Sequence, residues 1–423
     1  MIERKPYMQQ LRGWKDRHII KVVTGMRRSG KSTLLGMLAD EIRQNADESQ
    51  VQLYNFEDPD TLGIGGYKAV YDHIKVRLAG DKMNYIFLDE VQNVAQFERL
   101  VDGLFIKKNV DLYITGSNAY LLSSELATLL TGRYVEINIL PFSFGEYNDF
   151  VLRHESASEG EAFGSTQKGE GLPNSQNFTK SELFGNFIYN GGIPQAVSFA
   201  QMSIAQSDEL LSSILSTIIE KDIFRRRDVY NKFNFQRIVD FVFDSVGSYI
   251  SPSSISKTLK ADGYTVDPKT ITGYLYDLSS AYLLYRVPRY DVKGKKLLQT
   301  LDKYYLADTG FRKMRLGKKS GDDRGHLLEN VVYLELRRRN REVYAGKLRD
   351  KEIDFVAIDS QGYTSYYQVA YSALDEHTLE RELAPLQAIG DSNPKYLISA
   401  DWDVNPVYNG IRKVNAASWL LNR

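Results

Sequence analysis

The chain has 423 residues, with 54 Lys and Arg against 54 Asp and Glu, no cysteine and 28 tyrosines. A zero net charge excludes a global field of the kind that draws in nucleic acid or membrane, so any such contact must come from local patches. The absence of thiols excludes disulfides, thiolate zinc sites and cysteine nucleophiles, and fits a reducing compartment.

The length predicts two to four domains at ~100–200 residues each. The opening Met1-Ile2-Glu3-Arg4-Lys5-Pro6 lacks the apolar run of a secretory leader, and no stretch of roughly 18 apolar residues follows. A cytoplasmic protein with no membrane contact is therefore expected.

Residues 1–17 predict a helix with Tyr7, Leu11 and Trp14 on one face. Ile19 to Val23 reads as a short buried strand. It leads into Gly25-Met26-Arg27-Arg28-Ser29-Gly30-Lys31-Ser32-Thr33, and the apolar stretch Leu34, Leu35, Met37, Leu38 follows as a helix. Strand, glycine-bounded loop, Lys-Ser/Thr and helix is the context of a phosphate loop. The glycines let the backbone curl until successive N–H groups face phosphate oxygens, and the helix N-terminus adds partial positive charge. Gly25, Arg28, Ser29, Gly30, Lys31, Ser32 and Thr33 are therefore expected to bind nucleotide. Lys31 reaches the β/γ-phosphates and the Ser32 hydroxyl ligates Mg²⁺.

Val51 to Phe56 predicts a second strand, and 60–80 a helix broken by Gly63, Gly65 and Gly66. Asn84-Tyr85-Ile86-Phe87-Leu88-Asp89-Glu90 is an apolar run ending in two carboxylates, as in a buried parallel strand. In an open α/β sheet, ligands bind at that edge. Asp89 is expected to hold Mg²⁺, and Glu90 to orient and deprotonate the attacking water. Val110 to Asn118 is a further strand with a polar end. Asn118, and after it Ser117, is the candidate to sense the γ-phosphate. A helix Leu121 to Leu130, then Thr131-Gly132-Arg133-Tyr134 and a strand Val135 to Leu140 lead to Pro141 to Tyr147.

Residues 154–180 carry few apolar side chains and predict a flexible insertion. Residues 181–230 look helical, with a turn at Asn190-Gly191-Gly192-Ile193-Pro194. Helices are expected at 232–247, up to Lys260, and from Asp267-Pro268, where Asp is the cap and Pro the first helical residue. Two β-rich segments follow, Tyr282 to Tyr290 and Leu297 to Thr300, joined by Asp291-Val292-Lys293-Gly294-Lys295-Lys296. Three helices and a basic hairpin form the pattern of a winged helix. The remainder mixes a helix, Leu327 to Arg339, with strands around Ile353–Ile358 and Tyr366–Ala370.

With these pieces in place, the chain resembles the prokaryotic AAA-type P-loop ATPases that carry a C-terminal domain of unknown function with a nuclease-like, PD-(D/E)xK fold. Gly25–Thr33, Phe87–Gln92, Thr115–Asn118, Leu130–Tyr134, Pro141–Glu146, Gly191–Pro194 and Lys303–Gly310 carry the resemblance, which runs over most of the chain. It implies an α/β fold: an AAA-type core (1–153), the insertion (154–180), a helical lid (181–231), a winged helix (232–300) and a restriction-nuclease-like α/β domain (301–423). It also implies ATP hydrolysis with Mg²⁺. ATP is the default nucleotide because no Asn-Lys-x-Asp run is present to read guanine. Arg133 matches the arginine that such ATPases project into a neighbouring subunit's site. The competing assignment pairs it locally with Glu125 or Glu136.

Glu329, Asp354 and Gln368 fall where restriction-type nucleases have acidic residues. The second strand, however, reads Gln368-Val369-Ala370 in place of acid-x-Lys. An inactive scaffold is expected unless Lys347 or Lys351 stands in for the missing lysine. Lys269 and Thr270 on the third helix, with Lys293, Lys295 and Lys296 in the wing, offer phosphate contacts to DNA. Winged helices also bind proteins, so a DNA partner, a protein partner and a homo-oligomer all stay open. Arg225–Arg227 and Arg337–Arg339 are expected to be solvated charge runs. Beside the ATPase stand two alternatives: a nucleotide-gated binding switch with little turnover, and a metal-dependent nuclease.

Overall fold

The computed structural model describes residues 2–119, 132–158, 179–225, 231–298, 301–317, 323–402 and 406–422. The expected helix at 121–130, residues 159–178 of the expected insertion, and part of the Arg225–Arg227 run lie outside them; the insertion's first residues, to Ser158, continue a helix instead. The chain divides into two compact units: Met1–Leu140 with Ser280–Tyr282, and Pro141–Ser279 with Leu283–Arg423.

In the first unit, α1 (Lys5–Trp14), β1 (Ile20–Thr24), α2 (Lys31–Arg43) and β2 (Val51–Asn55) are followed by α3 (Pro59–Leu62) and α4 (Tyr67–Lys75). β3 (Asn84–Asp89), α5 (Phe97–Phe105), β4 (Val110–Gly116) and β5 (Tyr134–Asn138) complete it. The five strands form one parallel sheet in the order β2-β3-β4-β1-β5. Alternate residues of each strand face opposite sides. Val23, Tyr85, Phe87, Tyr113 and Ile137 pack with Tyr7, Met8 and Leu11 of α1 and Leu34, Leu35 and Leu38 of α2. Val22, Ile86, Leu88, Leu112 and Ile114 pack on the other side with Val70 and Ile74 of α4 and Leu100, Val101 and Leu104 of α5. Covering both faces explains why these strands read as continuous apolar runs. Trp14 does not join the buried face of α1; it is 39% exposed.

The second unit begins with α6 (Phe144–Ser158), α7 (Lys180–Asn190), α8 (Pro194–Ala200) and α9 (Ile204–Thr217). Next come α10 (Lys232–Asp244), β6 (Tyr249–Ile250), α11 (Pro252–Ala261) and α12 (Pro268–Ser280), then β7 (Leu284–Val287), β8 (Arg289–Asp291), β9 (Lys296–Leu297) and β10 (Asp302–Leu306). The Asp267 cap is formed: its carboxylate accepts from the Lys269 N–H at 2.7 Å. β6, β10 and β7 make a three-stranded antiparallel sheet with β10 in the centre, so the expected division at residue 300 falls inside a sheet.

The β-rich segment 282–290 is not one strand. Pro288, which has no N–H to give a ladder, separates β7 from β8. β8 and β9 are the edge of a different, eight-stranded sheet, order β15-β16-β14-β13-β12-β11-β8-β9. Its other strands and helices are α13 (Thr309–Leu316), α14 (Arg324–Arg339), β11 (Glu342–Leu348), β12 (Lys351–Ile358), β13 (Thr364–Ala370), α15 (Glu376–Gln387), β14 (Lys395–Ser399), β15 (Val407–Tyr408), β16 (Ile411–Asn415) and α16 (Ala416–Leu421).

Two conspicuous stretches of sequence interlock here. The buried Asp308 carboxylate accepts from the N–H groups of Gly192 (2.6 Å) and Gly310 (2.9 Å). A Cβ at Gly191 would lie 1.8 Å from Asp308 Oδ1, so only glycine fits there. Burial pushes the Asp308 carboxyl up to about 7 against the pull of those N–H groups. Arg337–Arg339 is only partly a solvated run: Arg337 is exposed, and Arg338 and Arg339 are half-buried. Arg338 pairs with Glu335 (3.1 Å) and donates to Pro141 O, Arg339 pairs with the same Glu335 (2.7 Å) and lies over Trp419, and Arg337 lies over Tyr285.

Candidate active site

β1 ends at Thr24, and the loop to α2 curls through two left-handed glycines, Gly25 (φ 138°) and Gly30 (φ 98°). A Cβ on Gly25 would sit 2.2 Å from Ile139 O, so this position needs glycine for space as well as for φ. The loop is braced from behind by the buried Arg4, whose guanidinium donates to Ser29 O and Leu140 O, both at 2.9 Å. Arg28 (φ 64°) is exposed, Ser29 is buried, and Ser32 and Thr33 open the first turn of α2. Lys31 folds back over the loop. Its Nζ donates to Gly25 O (3.0 Å) and Met26 O (3.2 Å) and lies 3.5 Å from Glu90 Oε1.

The acidic residues stand at the C-terminal end of β3. Asp89 accepts from the Thr115 hydroxyl at 2.5 Å, and the same hydroxyl oxygen accepts from the Glu90 N–H at 2.8 Å. Thr115 thus fixes both residues from the neighbouring strand, a role that the sequence pattern did not signal. Burial raises the Asp89 carboxyl above the usual range, opposed by hydrogen bonds from Thr115 and Ser32. Burial also presses on Glu90, but the Lys31 charge, the Gln92 amide and Arg27 outweigh it and hold that carboxyl down. Glu90 adopts a left-handed φ of 52°, uncommon for a residue with a side chain and often found where function demands it.

β4 lies between β1 and β3, so Ser117 and Asn118, both buried, follow a strand end that borders the phosphate loop on one side and the acidic pair on the other. The next residue, Ala119, donates its N–H to Ser280 O at 2.7 Å, and the Tyr282 hydroxyl donates to Glu136 at 3.2 Å. Arg133 lies elsewhere. It accepts from Ile20 N–H at the opposite, N-terminal edge of the sheet, and its guanidinium pairs with Asp102 on α5 at 3.0 Å. Among the described residues its carboxylate partner is Asp102 and not Glu136; Glu125 lies outside them.

The donor set suits Mg²⁺ with a triphosphate: a hydroxyl and a carboxylate joined by a hydrogen bond, beside a curled backbone and an ammonium group.

In the second unit, Glu329 and Asp354 do converge. Between them stands Lys303, its Nζ 2.8 Å from Glu329, 2.6 Å from Glu352 and 3.7 Å from Asp354. The Tyr305 hydroxyl also donates to Glu329 at 2.6 Å. A lysine not foreseen from the sequence, Lys303, thus occupies this cluster, and Lys347 stands opposite Glu352 on the paired strand. Gln368 accepts from the Asp354 N–H (3.4 Å) and donates to Glu382 (3.0 Å). Burial pushes Asp354 far up; burial also acts on Lys303, but the surrounding carboxylates outweigh it and raise the ammonium. Among the described residues, no group of three or more His, Cys, Asp or Glu side chains is arranged to hold a metal ion. Lys269, Lys293, Lys295 and Lys296 are all exposed.

An uncharacterized protein of Haemophilus influenzae is 36% identical over 423 residues, covering 100% of this chain and 99% of its own length. The chain belongs to the same family as that protein. Residues 17–148 match the model of an AAA domain, and residues 181–322 that of a domain of unknown function. The AAA-type P-loop domain therefore contains the loop Gly25–Thr33, the acidic pair Asp89 and Glu90, and Thr115 to Asn118. An uncharacterized protein of Methanocaldococcus jannaschii is 28% identical over 368 residues, 86% of this chain and 77% of its own. Among solved structures, a Walker-type ATPase of Pyrococcus abyssi aligns with a TM-score of 0.47 at 15% identity, over 74% of this chain and 95% of that one. No helix among the described residues is long and apolar enough to cross a membrane.

Proposed function

We propose that the first unit binds ATP and hydrolyses it by in-line attack of water, and that turnover is coupled to the second unit. The observation that carries this is the meeting of Lys31, Ser32, Asp89 and Glu90 at one sheet edge, with Lys31 Nζ 3.5 Å from Glu90. The loop N–H groups and Lys31 hold the phosphates. Ser32 and Asp89 hold Mg²⁺, which when bound neutralises charge on the β- and γ-phosphate oxygens. Glu90 takes the proton of the attacking water. Lys31 keeps Glu90 a poor base until phosphate oxygens engage the ammonium; the carboxyl then recovers basicity where it is needed.

Asn118 touches the γ-phosphate, and the bond from Ala119 to Ser280 O relays its position to the last residue of α12. That helix opens with the exposed Lys269. With α10, α11, β6, β10 and β7 it has the element order of a winged helix, for which DNA is the partner we favour, through Lys269, Lys293, Lys295 and Lys296. Arg133, at the sheet edge opposite the loop, takes no part in its own chain's site, so a role for it would need a neighbouring copy. The Glu329–Asp354 cluster we take as an inactive scaffold, because the Lys303 ammonium stands where a cation would bridge the carboxylates.

The test is steady-state phosphate release with Mg²⁺ and ATP, with and without duplex DNA. Glu90→Gln should retain bound ATP and lose turnover by ~10²–10⁴-fold. Unchanged turnover in that variant refutes the assignment, and ATP binding without measurable release by the parent favours the switch.

A further inference from the structure

We infer that Arg27 is a catalytic residue acting within its own chain: its guanidinium contacts the γ-phosphate oxygens of ATP held by the same loop. The inference rests on the ATPase reading above. Arg27 is the second residue after Gly25, and its side chain is only 14% exposed. Its Nη1 lies 2.8 Å from Glu57 Oε1. Glu57 follows β2 and is anchored there: its N–H donates to Asn55 Oδ1 (2.9 Å), and the adjoining Phe56 N–H donates to Asp89 O (3.0 Å).

The strand order makes this pair informative. β1 and β2 are separated by β4 and β3. At ~4.8 Å per strand the two termini lie roughly 14 Å apart. A side chain that leaves the loop after β1 and meets a carboxylate after β2 must cross the ends of β4 and β3. Those ends carry Asn118, Asp89 and Glu90. The guanidinium held by Glu57 therefore spans the strand ends that carry Asp89 and Glu90, and a triphosphate gripped by the same loop ends within its reach.

A guanidinium suits the task. It stays charged, and its planar fork matches phosphoryl oxygens. It exchanges one bond to Glu57, whose side chain is 48% exposed, for bonds to the transferring group. Arg133 cannot do this on its own chain, because the length of a strand separates it from the loop.

The experiment compares wild type, Arg27→Ala, Arg27→Lys, Glu57→Gln and Arg133→Ala in full-length protein, by phosphate release at several protein concentrations and by ATP and ADP titration. Arg27→Ala should lower kcat by about 10³-fold and weaken ATP but not ADP. Arg27→Lys should fall between it and wild type. Glu57→Gln should raise the preference for ATP over ADP, which a loop-bracing role for the pair would not do. Wild-type kcat should not change with dilution. Equal losses of ATP and ADP affinity in Arg27→Ala, or unchanged kcat, overturn the inference while leaving the ATPase standing. So does turnover that vanishes on dilution and in Arg133→Ala but survives in Arg27→Ala. A wild type that binds no nucleotide removes both.

Discussion

Gly25→Ala and Gly30→Ala change the same loop by the same methyl group, and the structure assigns them different consequences. At Gly25 the new Cβ would lie 2.2 Å from Ile139 O and 3.1 Å from Ile139 C. Ordinary carbon contacts begin near 3.5 Å, so the segment after β5 must move by about 1 Å or more. That movement strains the bond from Ile139 N–H to Thr24 O, now 2.8 Å, which continues the pairing of β5 with β1. Left-handed φ costs a residue with a side chain about 1–2 kcal/mol, and a lost backbone bond about 0.5–1.5 kcal/mol. Gly25→Ala should therefore destabilise the unit by about 1.5–3.5 kcal/mol. At Gly30 the nearest atom is the far end of Arg4, 4.0 Å away, so only the φ strain applies, about 1–2 kcal/mol. Urea unfolding, following the transition that bound nucleotide shifts, gives both values. Equal stability of Gly25→Ala and wild type, or a larger loss at Gly30, would refute the steric argument.

Asp308→Ala leaves the N–H groups of Gly192 and Gly310 buried without their acceptor, at a cost of about 2–6 kcal/mol by denaturant midpoint. Because the folded Asp308 carboxyl is raised to about 7, the folded state holds its proton longer than the unfolded chain does. Wild-type stability relative to Asp308→Asn should accordingly fall as pH rises from about 4 to 7 and level off above; the opposite slope contradicts the assignment. Lys303→Met strands Glu329 and Asp354 without a countercharge and should cost about 3–5 kcal/mol near neutral pH and less in acid, read from the same midpoints. Wild type should not nick supercoiled DNA with Mg²⁺ or Mn²⁺. Cleavage that Asp354→Asn removes would reverse our view of that cluster.

The phosphate loop and the acidic strand end were legible in sequence because their signals are local. Loop glycines, Lys31 and Ser32 sit within one short stretch, and the apolar run before Asp89 is continuous because helices cover both faces of the sheet. What sequence left out depends on pairing between distant segments. Thr115 supports Asp89 from 26 residues away, Arg27 finds Glu57 across two strands, and Lys303 joins Glu329 and Asp354 from a strand of another sheet. Nothing in their immediate neighbours marks such partners. Arg338 and Arg339 misled for the complementary reason: a run of like charge reads as solvated unless Glu335, Pro141 and Trp419 are known to engage it. Pro288 was visible, but its effect, sending β7 and β8 to different sheets, is fixed by partners that lie later in the chain.

The most direct measurement is ATP binding and phosphate release by Lys31→Ala beside the parent, in the same buffer with Mg²⁺. Loss of the ammonium that bridges the loop and Glu90 should weaken ATP by about 100-fold or more, the scale of a charge-assisted contact of about 3 kcal/mol, and abolish turnover. A Lys31→Ala protein that binds and splits ATP as the parent does would contradict the account.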